Sequence, residues 1–275
     1  MDENNDKSDN IYIFLPEGSV CMKNNKKMPV VFIGHGSPMN AIEDNLFTRG
    51  WEIVSENMPR PTAILAISAH WYTAGTRITD AKQPKMVYDM NGFPQDLYQI
   101  TYPAIGAPAL AKTTKDLIAR EVQIDNSWGY DHGTWSVLCH MYPKASIPVY
   151  QLSVDKNADA AEHYKIGQNI KSLRSQGVLI LASGNVVHNL TEINWHKSDG
   201  YSWANDFDRQ IKASILKRDF DKVIHHPDPE KSFYTPEHFY PLLYTLGAAE
   251  DDDTLTVFND SCVLGSLSMT SYLFA

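Results

Sequence analysis

The chain has 275 residues, of which 43% are hydrophobic, and its formal net charge is −9 at pH 7. This length and apolar content suffice for one large buried core. The negative charge argues against nucleic acid or an anionic membrane surface as a partner, because both attract basic surfaces.

The first 27 residues differ in character from the rest of the chain. They are polar apart from a short apolar patch at 11–15, and they begin with acidic residues. A secretion signal needs a basic start and a longer apolar run, so this segment does not match one. We therefore expect a poorly ordered extension at residues 1–27 and a single folded domain at residues 28–275.

Cysteine usage indicates the cellular compartment. The three cysteines, Cys21, Cys139 and Cys262, are widely spaced and form no CxxC pair. This pattern indicates neither a disulfide framework nor a cysteine zinc site. Because thiols stay reduced in the cytoplasm, we expect a cytoplasmic location.

Apolar runs and helical periodicity alternate along the domain. Strands are predicted at 29–33, 62–68, 76–81, 147–154 and 178–182, with further strands in 254–260 and 265–275. Helices are predicted at 43–58, 108–122, 159–177, 201–220 and 236–249, and residues 86–108 have the composition of an ordered loop. Since the strands are nearly continuous in apolar residues, we predict a single α/β domain with a mostly buried central sheet flanked by helices.

Three of the apolar strands are each followed by a histidine. They are His35 in VVFIGHGSP, His70 in AILAISAHWY and His188 in GVLILASGNVVHNL. Ligands gather at the C-terminal strand ends of such sheets, and imidazole is a common metal ligand. The pattern predicts a shared metal site at those strand ends. The competing interpretation is a set of histidines that bond backbone carbonyls.

Two further histidines lie in motifs that suggest a site. His132 lies in WGYDHGTW, where it is either a proton donor and acceptor or a turn residue. His238 lies in TPEHFYP, where Thr235, Pro236 and Glu237 are typical of a helix start and His238 is either a ligand or a first-turn residue. The GxSxG, P-loop, HExxH and GxGxxG patterns do not occur. We expect surface or structural roles for His140, His163, His196, His225 and His226.

Seven motifs in order resemble a known family. GHGSPMNAIEDN, SAHWYT, GFPQDLYQITYPAIGAPALA, WGYDHGTWSVL, ASGNVVHNL, TPEHFYPLLYTLGA and GSLSMTSY together resemble the 4,5-DOPA extradiol dioxygenase family, a branch of the class III extradiol ring-cleaving dioxygenases. The resemblance runs from about Met28 to the C-terminus. It implies one α/β catalytic domain with a mononuclear metal, Fe(II) for activity and often Zn(II) in the isolated protein.

The resemblance also implies roles for individual residues. His35 and His70 match the family's two strand-end ligands, and His188 and His238 match the later histidines of its metal centre. His132 matches a histidine of the substrate pocket. We expect His132 and His188 to transfer protons, with His188 also a possible ligand. The wider class uses two histidines and one glutamate, so the centre here is all-histidine if Glu237 points away as a first-turn residue.

The expected activity is extradiol cleavage of a catechol by O2, with L-DOPA as the expected substrate and 4,5-cleavage to seco-DOPA. Two other functions stay open at this point. One is a zinc-dependent hydrolase that activates a water molecule. The other is a non-catalytic binding protein that uses the same cleft.

Overall fold

A computed structural model describes residues 27–226 and 231–275, so nearly all of the predicted N-terminal extension lies outside the described residues. The strands are β1 (Val30–Gly34), β2 (Ala63–Thr73), β3 (Thr76–Ile78), β4 (Val122–Ile124), β5 (Val149–Asp155), β6 (Val178–Gly184), β7 (Leu255–Phe258), β8 (Cys262–Val263), β9 (Leu267–Ser268) and β10 (Ser271–Phe274). The α-helices are α1 (Leu46–Asn57), α2 (Pro108–Leu117), α3 (His132–Met141), α4 (Ala160–Ile170), α5 (Ser202–Leu216), α6 (Phe220–Ile224) and α7 (Tyr240–Ala248). None of these helices has the length and apolarity needed to span a bilayer.

Eight strands form one mixed sheet in the order β4-β3-β5-β2-β6-β1-β10-β7. The four central strands, β5, β2, β6 and β1, are parallel. β10 is antiparallel to both β1 and β7, and β3 is antiparallel to β5. β8 and β9 form a separate small ladder. This architecture confirms the predicted α/β fold with a central sheet flanked by helices.

Both faces of the sheet are buried, which explains why its strands are apolar without alternation. In β1, Val30 and Phe32 belong to one core cluster, whereas Val31 and Ile33 belong to the other. Helices α4 and α7 contribute to the first cluster, and α1 and α3 contribute to the second. Polar side chains can instead converge at the C-terminal ends of the parallel strands.

The strand predicted at 62–68 is longer than expected. It continues to Thr73, so His70 lies within β2 and not beyond its end. β2 pairs with β6 only as far as Ser68, and its register with β5 shifts between Ile67 and Tyr72. Such an irregularity re-aims side chains, and here it lies where His70 leaves the regular ladder.

Two predicted helices contain 3₁₀ turns. The helix predicted at 159–177 is α4 followed by a 3₁₀ turn at Lys171–Gln176, which ends at Gly177 in the left-handed conformation that glycine favours. The helix predicted at 236–249 begins with a 3₁₀ turn at Pro236–His238 before α7. Thr235 occupies the N-cap position of this turn, but its side chain makes no capping hydrogen bond with the described residues.

Close backbone contacts join this 3₁₀ turn to the end of β6. A Cβ atom on Gly184 would lie 2.1 Å from the carbonyl oxygen of His238, so only glycine fits there. The next amide, that of Asn185, donates to the same carbonyl at 2.8 Å. The amide of His35 donates to the carbonyl of Gly184 at 3.1 Å. The backbones of His35 and His238 are therefore anchored to the same strand end.

Candidate active site

The structure brings together all five histidines that the sequence singled out. The ring centroids of His35 and His70 are 5.0 Å apart, and those of His70 and His238 are 4.9 Å apart. His132 approaches His70 at 3.8 Å. His188 stacks on His238 with a centroid distance of 3.5 Å and an interplanar angle of 6°. Two groups have nitrogen or oxygen atoms close enough to hold a metal ion: His35, His70 and His132, and His188, Glu237 and His238.

The tautomer of His35 follows from its hydrogen bond to β6. Its Nδ1 lies 2.9 Å from Ser183 Oγ, which donates its single proton to the carbonyl of Gly133 at 2.6 Å. Ser183 must therefore accept from His35, so the proton of the neutral imidazole lies on Nδ1. His35 is 1% exposed, and its Nε2 carries a lone pair inside the site.

His70 has the same arrangement. Its Nδ1 lies 3.0 Å from Asp89 Oδ2, and an ionised carboxylate can only accept, so Nδ1 donates. Its Nε2 lies 3.1 Å from Nε2 of His35. The two Nε2 atoms face each other, and both can turn a lone pair toward a shared cation. Metal-binding histidines are usually held in this way, through the other ring nitrogen.

His238 is the third imidazole of this kind. Its Nδ1 lies 3.0 Å from Glu237 Oε1, and its Nε2 is buried without a hydrogen-bond partner in the part of the chain that the structure describes. An unpartnered buried nitrogen is costly, and a metal ion would satisfy it. Glu237 does not point away from the site as a first-turn residue would. Its Oε1 holds His238, while Oε2 is buried and has no partner among the described residues.

Asp89 connects two of these histidines, although no pattern in the sequence singles it out. Oδ2 accepts from Nδ1 of His70, and Oδ1 accepts from both Nδ1 and the backbone amide of His132, each at 3.0 Å. Asp89 lies in the loop at 86–108, which has no periodic pattern and no motif known for chemistry. Its role could be found only from the fold, which places this loop beside the first turn of α3.

Burial and the shared carboxylate set the protonation states. Burial would raise the pKa of Asp89, but hydrogen bonds from His132 and His70 hold it well below its usual range. Burial would lower the pKa of His70, but the hydrogen bond and charge of Asp89 raise it. The negative charge that favours a further proton on His70 also favours a metal cation there.

The other imidazoles are kept neutral. Burial, together with the neighbouring His70, lowers the pKa of His132. Burial lowers the pKa of His188 to about 3, with smaller effects of His70 and His132. Burial also holds the pKa values of His35 and His238 well below the usual value. Neutral imidazoles have lone pairs for metal binding and for accepting protons.

A cavity of about 540 Å³ opens beside the histidines. This volume is typical of a small-molecule site, for which about 300–1,000 Å³ is usual. The polar lining comprises the five histidines with Asp89 and Glu237, and Ser37 and Asn91 also contribute. The apolar lining comprises Met90, Phe93, Leu190, Ile193, Trp195, Leu264 and Leu267, with Pro38 and Gly36 at one side. The arrangement can hold a flat ring between an apolar wall and a cluster of imidazoles.

Comparison with known proteins defines the class of enzyme. Residues 29–275 match the family model described as the catalytic LigB subunit of aromatic ring-opening dioxygenase. The chain belongs to this family and is an aromatic ring-opening dioxygenase.

Its relatives identify the branch as that of the 4,5-DOPA extradiol dioxygenases. The chain is 44% identical over 254 residues to the 4,5-DOPA dioxygenase extradiol of Escherichia coli K12, an alignment that covers 89% of this chain and 94% of that protein. It is 38% identical over 258 residues to the 4,5-DOPA dioxygenase extradiol of Beta vulgaris, covering 88% and 95% of the two chains. The crystal structure of an uncharacterised protein of Escherichia coli K12 superposes with a TM-score of 0.79 at 40% identity, covering 90% of this chain and 100% of that one.

Proposed function

We propose that this protein is a metal-dependent extradiol dioxygenase that cleaves a catechol with O2, with L-DOPA as a substrate cleaved at the 4,5 position. The observation that carries the metal site is that His35 and His70, each held through Nδ1, face each other through Nε2 atoms 3.1 Å apart. His238 is also held through Nδ1, and its buried Nε2 has no partner among the described residues. Relatives that bear the name 4,5-DOPA dioxygenase extradiol support the choice of substrate.

His35, His70 and His238 would hold the metal, with His188 as a fourth member of the centre. Because a ring nitrogen of His188 lies within 4.8 Å of ligand atoms of His238 and Glu237, it can add a ligand or transfer a proton there. We propose Fe(II) as the active metal, with Zn(II) able to occupy the site in isolated protein. Fe(II), when bound, supplies the redox chemistry with O2 that no side chain can provide.

His132 has the properties of a general base and acid. Its Nδ1 donates to Asp89, so the lone pair lies on Nε2, and its lowered pKa keeps the ring neutral and ready to accept a proton. A catechol must lose protons to bind a cation through both oxygens. The ionised carboxylate of Asp89 would stabilise the imidazolium that forms, and His132 could return the proton to the opened ring.

The test is anaerobic loading with Fe(II), followed by L-DOPA and O2. We expect oxygen uptake together with a new yellow absorbance, and neither with Zn(II) alone. A zinc hydrolase would instead act without oxygen, and a binding protein would bind the catechol without consuming it. Either of these results, obtained with fully iron-loaded protein, would refute the proposal.

The cytoplasmic location and the absence of nucleic-acid and membrane partners stay predictions. The thiols of Cys139 and Cys262 are free, and Cys21 lies outside the described residues.

A further inference from the structure

Among the described residues that line the cavity, the formally charged side chains are all acidic. Two carboxylates, those of Asp89 and Glu237, line it. Among the described residues that line it, none is a lysine or an arginine. An amino-acid substrate brings a carboxylate that needs a cationic or strongly donating partner when it leaves water. Apart from the histidines, which the proposed function already uses, the side-chain donors of this lining are the neutral groups of Ser37 and Asn91, which cannot balance the charge of a carboxylate.

The apolar part of the cavity wall is partly open to solvent. Leu190 is 62% exposed and Trp195 is 66% exposed, and both line the cavity. Ile193 lies between them in the same segment. A substituent that covers these side chains would remove apolar surface from water, which favours binding in proportion to the area covered.

We propose that the site recognises the diol and the apolar face of a catechol and does not recognise the carboxylate of an amino-acid side chain. Catechols whose substituent carries no carboxylate are therefore its preferred substrate class. This inference rests on the proposed ring cleavage. L-DOPA remains a substrate, but its amino-acid group contributes no specific contact.

The competing hypothesis is that Lys197 binds the carboxylate of the substrate. Lys197 lines an adjoining cavity of about 270 Å³, which shares Ser37, Leu264 and Leu267 with the main one. Its ammonium is already paired with Asp199 and lies 5.6 Å from the ring centroid of Tyr201. Recognition of a substrate carboxylate by Lys197 would require it to leave Asp199.

Four catechols separate the contributions of the two charged groups. L-DOPA carries an ammonium and a carboxylate, dopamine only the ammonium, 3,4-dihydroxyphenylpropionate only the carboxylate, and 4-propylcatechol neither. With Fe(II)-loaded protein, we expect kcat/KM to be at least as high for dopamine as for L-DOPA. We likewise expect it to be at least as high for 4-propylcatechol as for the propionate. A higher value for the carboxylate-bearing member of either pair would overturn the inference.

Two variants test the structural basis. We expect Leu190→Ala to lower kcat/KM for 4-propylcatechol about fourfold, because this change corresponds to the burial of roughly one methylene group. The kcat/KM for unsubstituted catechol should change little. Leu216→Ala is the matched control, because Leu216 is 58% exposed on α5 and does not line the cavity. Lys197→Gln should leave the ratio of L-DOPA to dopamine unchanged. A selective loss for L-DOPA in this variant would show that Lys197 reads the carboxylate and would refute the inference.

Binding measurements separate this inference from the proposed function. Under argon, the four catechols can be titrated into Zn(II)-loaded protein, where no turnover occurs. If no catechol is cleaved by the iron form, the proposed function fails, but the order of the four dissociation constants still decides whether the carboxylate is recognised. Tighter binding of the carboxylate-bearing members would refute the inference on its own.

Discussion

Replacing Asp89 by asparagine tests how the candidate metal centre is held together. The carboxylate accepts three hydrogen bonds of 3.0 Å, one from His70 and two from His132. Asparagine keeps one acceptor oxygen and places an NH2 group at the other position. If the oxygen stays with His132, the NH2 faces Nδ1 of His70, which can no longer donate. His70 must then carry its proton on Nε2, where the metal should bind.

The expected size of the effect follows from these contacts. A hydrogen bond to a charged group contributes about 1.5–3 kcal/mol, and loss of a partner that orients a metal ligand costs about 10–100-fold in affinity or activity. We therefore expect Asp89→Asn to weaken metal binding about 10–100-fold, measured by competition with a chelator of known affinity. kcat/KM of the iron-loaded variant should fall by at least as much, because His132 also loses a charged partner.

Asp125→Asn is the matched control for this substitution. The side chains of Asp89 and Asp125 are 13% and 14% exposed, and both accept hydrogen bonds from cationic or potentially cationic groups. Asp125, however, pairs with Arg77 and does not line the cavity. Metal affinity and turnover should stay near wild-type values in this control. Wild-type metal affinity in Asp89→Asn itself would refute the reasoning.

Three further predictions concern metal, protons and pH. His35→Ala or His70→Ala should abolish metal binding, because each removes one of the two facing Nε2 atoms. Metal content can be measured by elemental analysis, and stoichiometric metal in both purified variants would contradict the proposed site. His132→Ala should keep the metal and lose most turnover, since the base is absent while the ligands remain; unchanged kcat would exclude His132 from the mechanism. Burial lowers the pKa of the His163 imidazole to about 4. As pH decreases, His163 is therefore protonated at a higher pH in the unfolded chain than in the folded one. The free energy of unfolding should therefore fall by about 3 kcal/mol from this residue as pH decreases from about 6.5 to about 4. Denaturant titrations should show a shallower decline in His163→Gln, and parallel pH profiles would refute the assignment.

The central strands and the three histidines that follow or end them could be predicted because their signals are local, whereas His132 and His238 were singled out with alternatives left open. Apolar runs predict β1, β2 and β6, and a histidine follows or ends each run. The position of His70 inside β2 could not be predicted, since it depends on a register shift against β5. Pairing between strands decides where a ladder becomes irregular, and the sequence of one strand does not contain that information.

The groups that hold the histidines were not predictable in the same way. Ser183 is one of several small residues at the end of β6, and only the packed structure shows that it accepts from His35. Glu237 fits a helix start by its position, yet its carboxylate turns to His238. Both contacts depend on side-chain direction after folding, which residue type and spacing do not determine.

The position of Asp89 matters for the exchange of its loop between related proteins. Three residues that follow Asp89 closely, Met90, Asn91 and Phe93, also line the cavity. The segment that shapes one face of the pocket is therefore tied by its own carboxylate to His70 and His132. A graft of this loop aimed at a new substrate would also replace the anchor of a candidate metal ligand. If the candidate site binds a metal as proposed, substrate range and metal retention depend on the same segment, and we expect a transplanted loop to need an aspartate in register with Asp89.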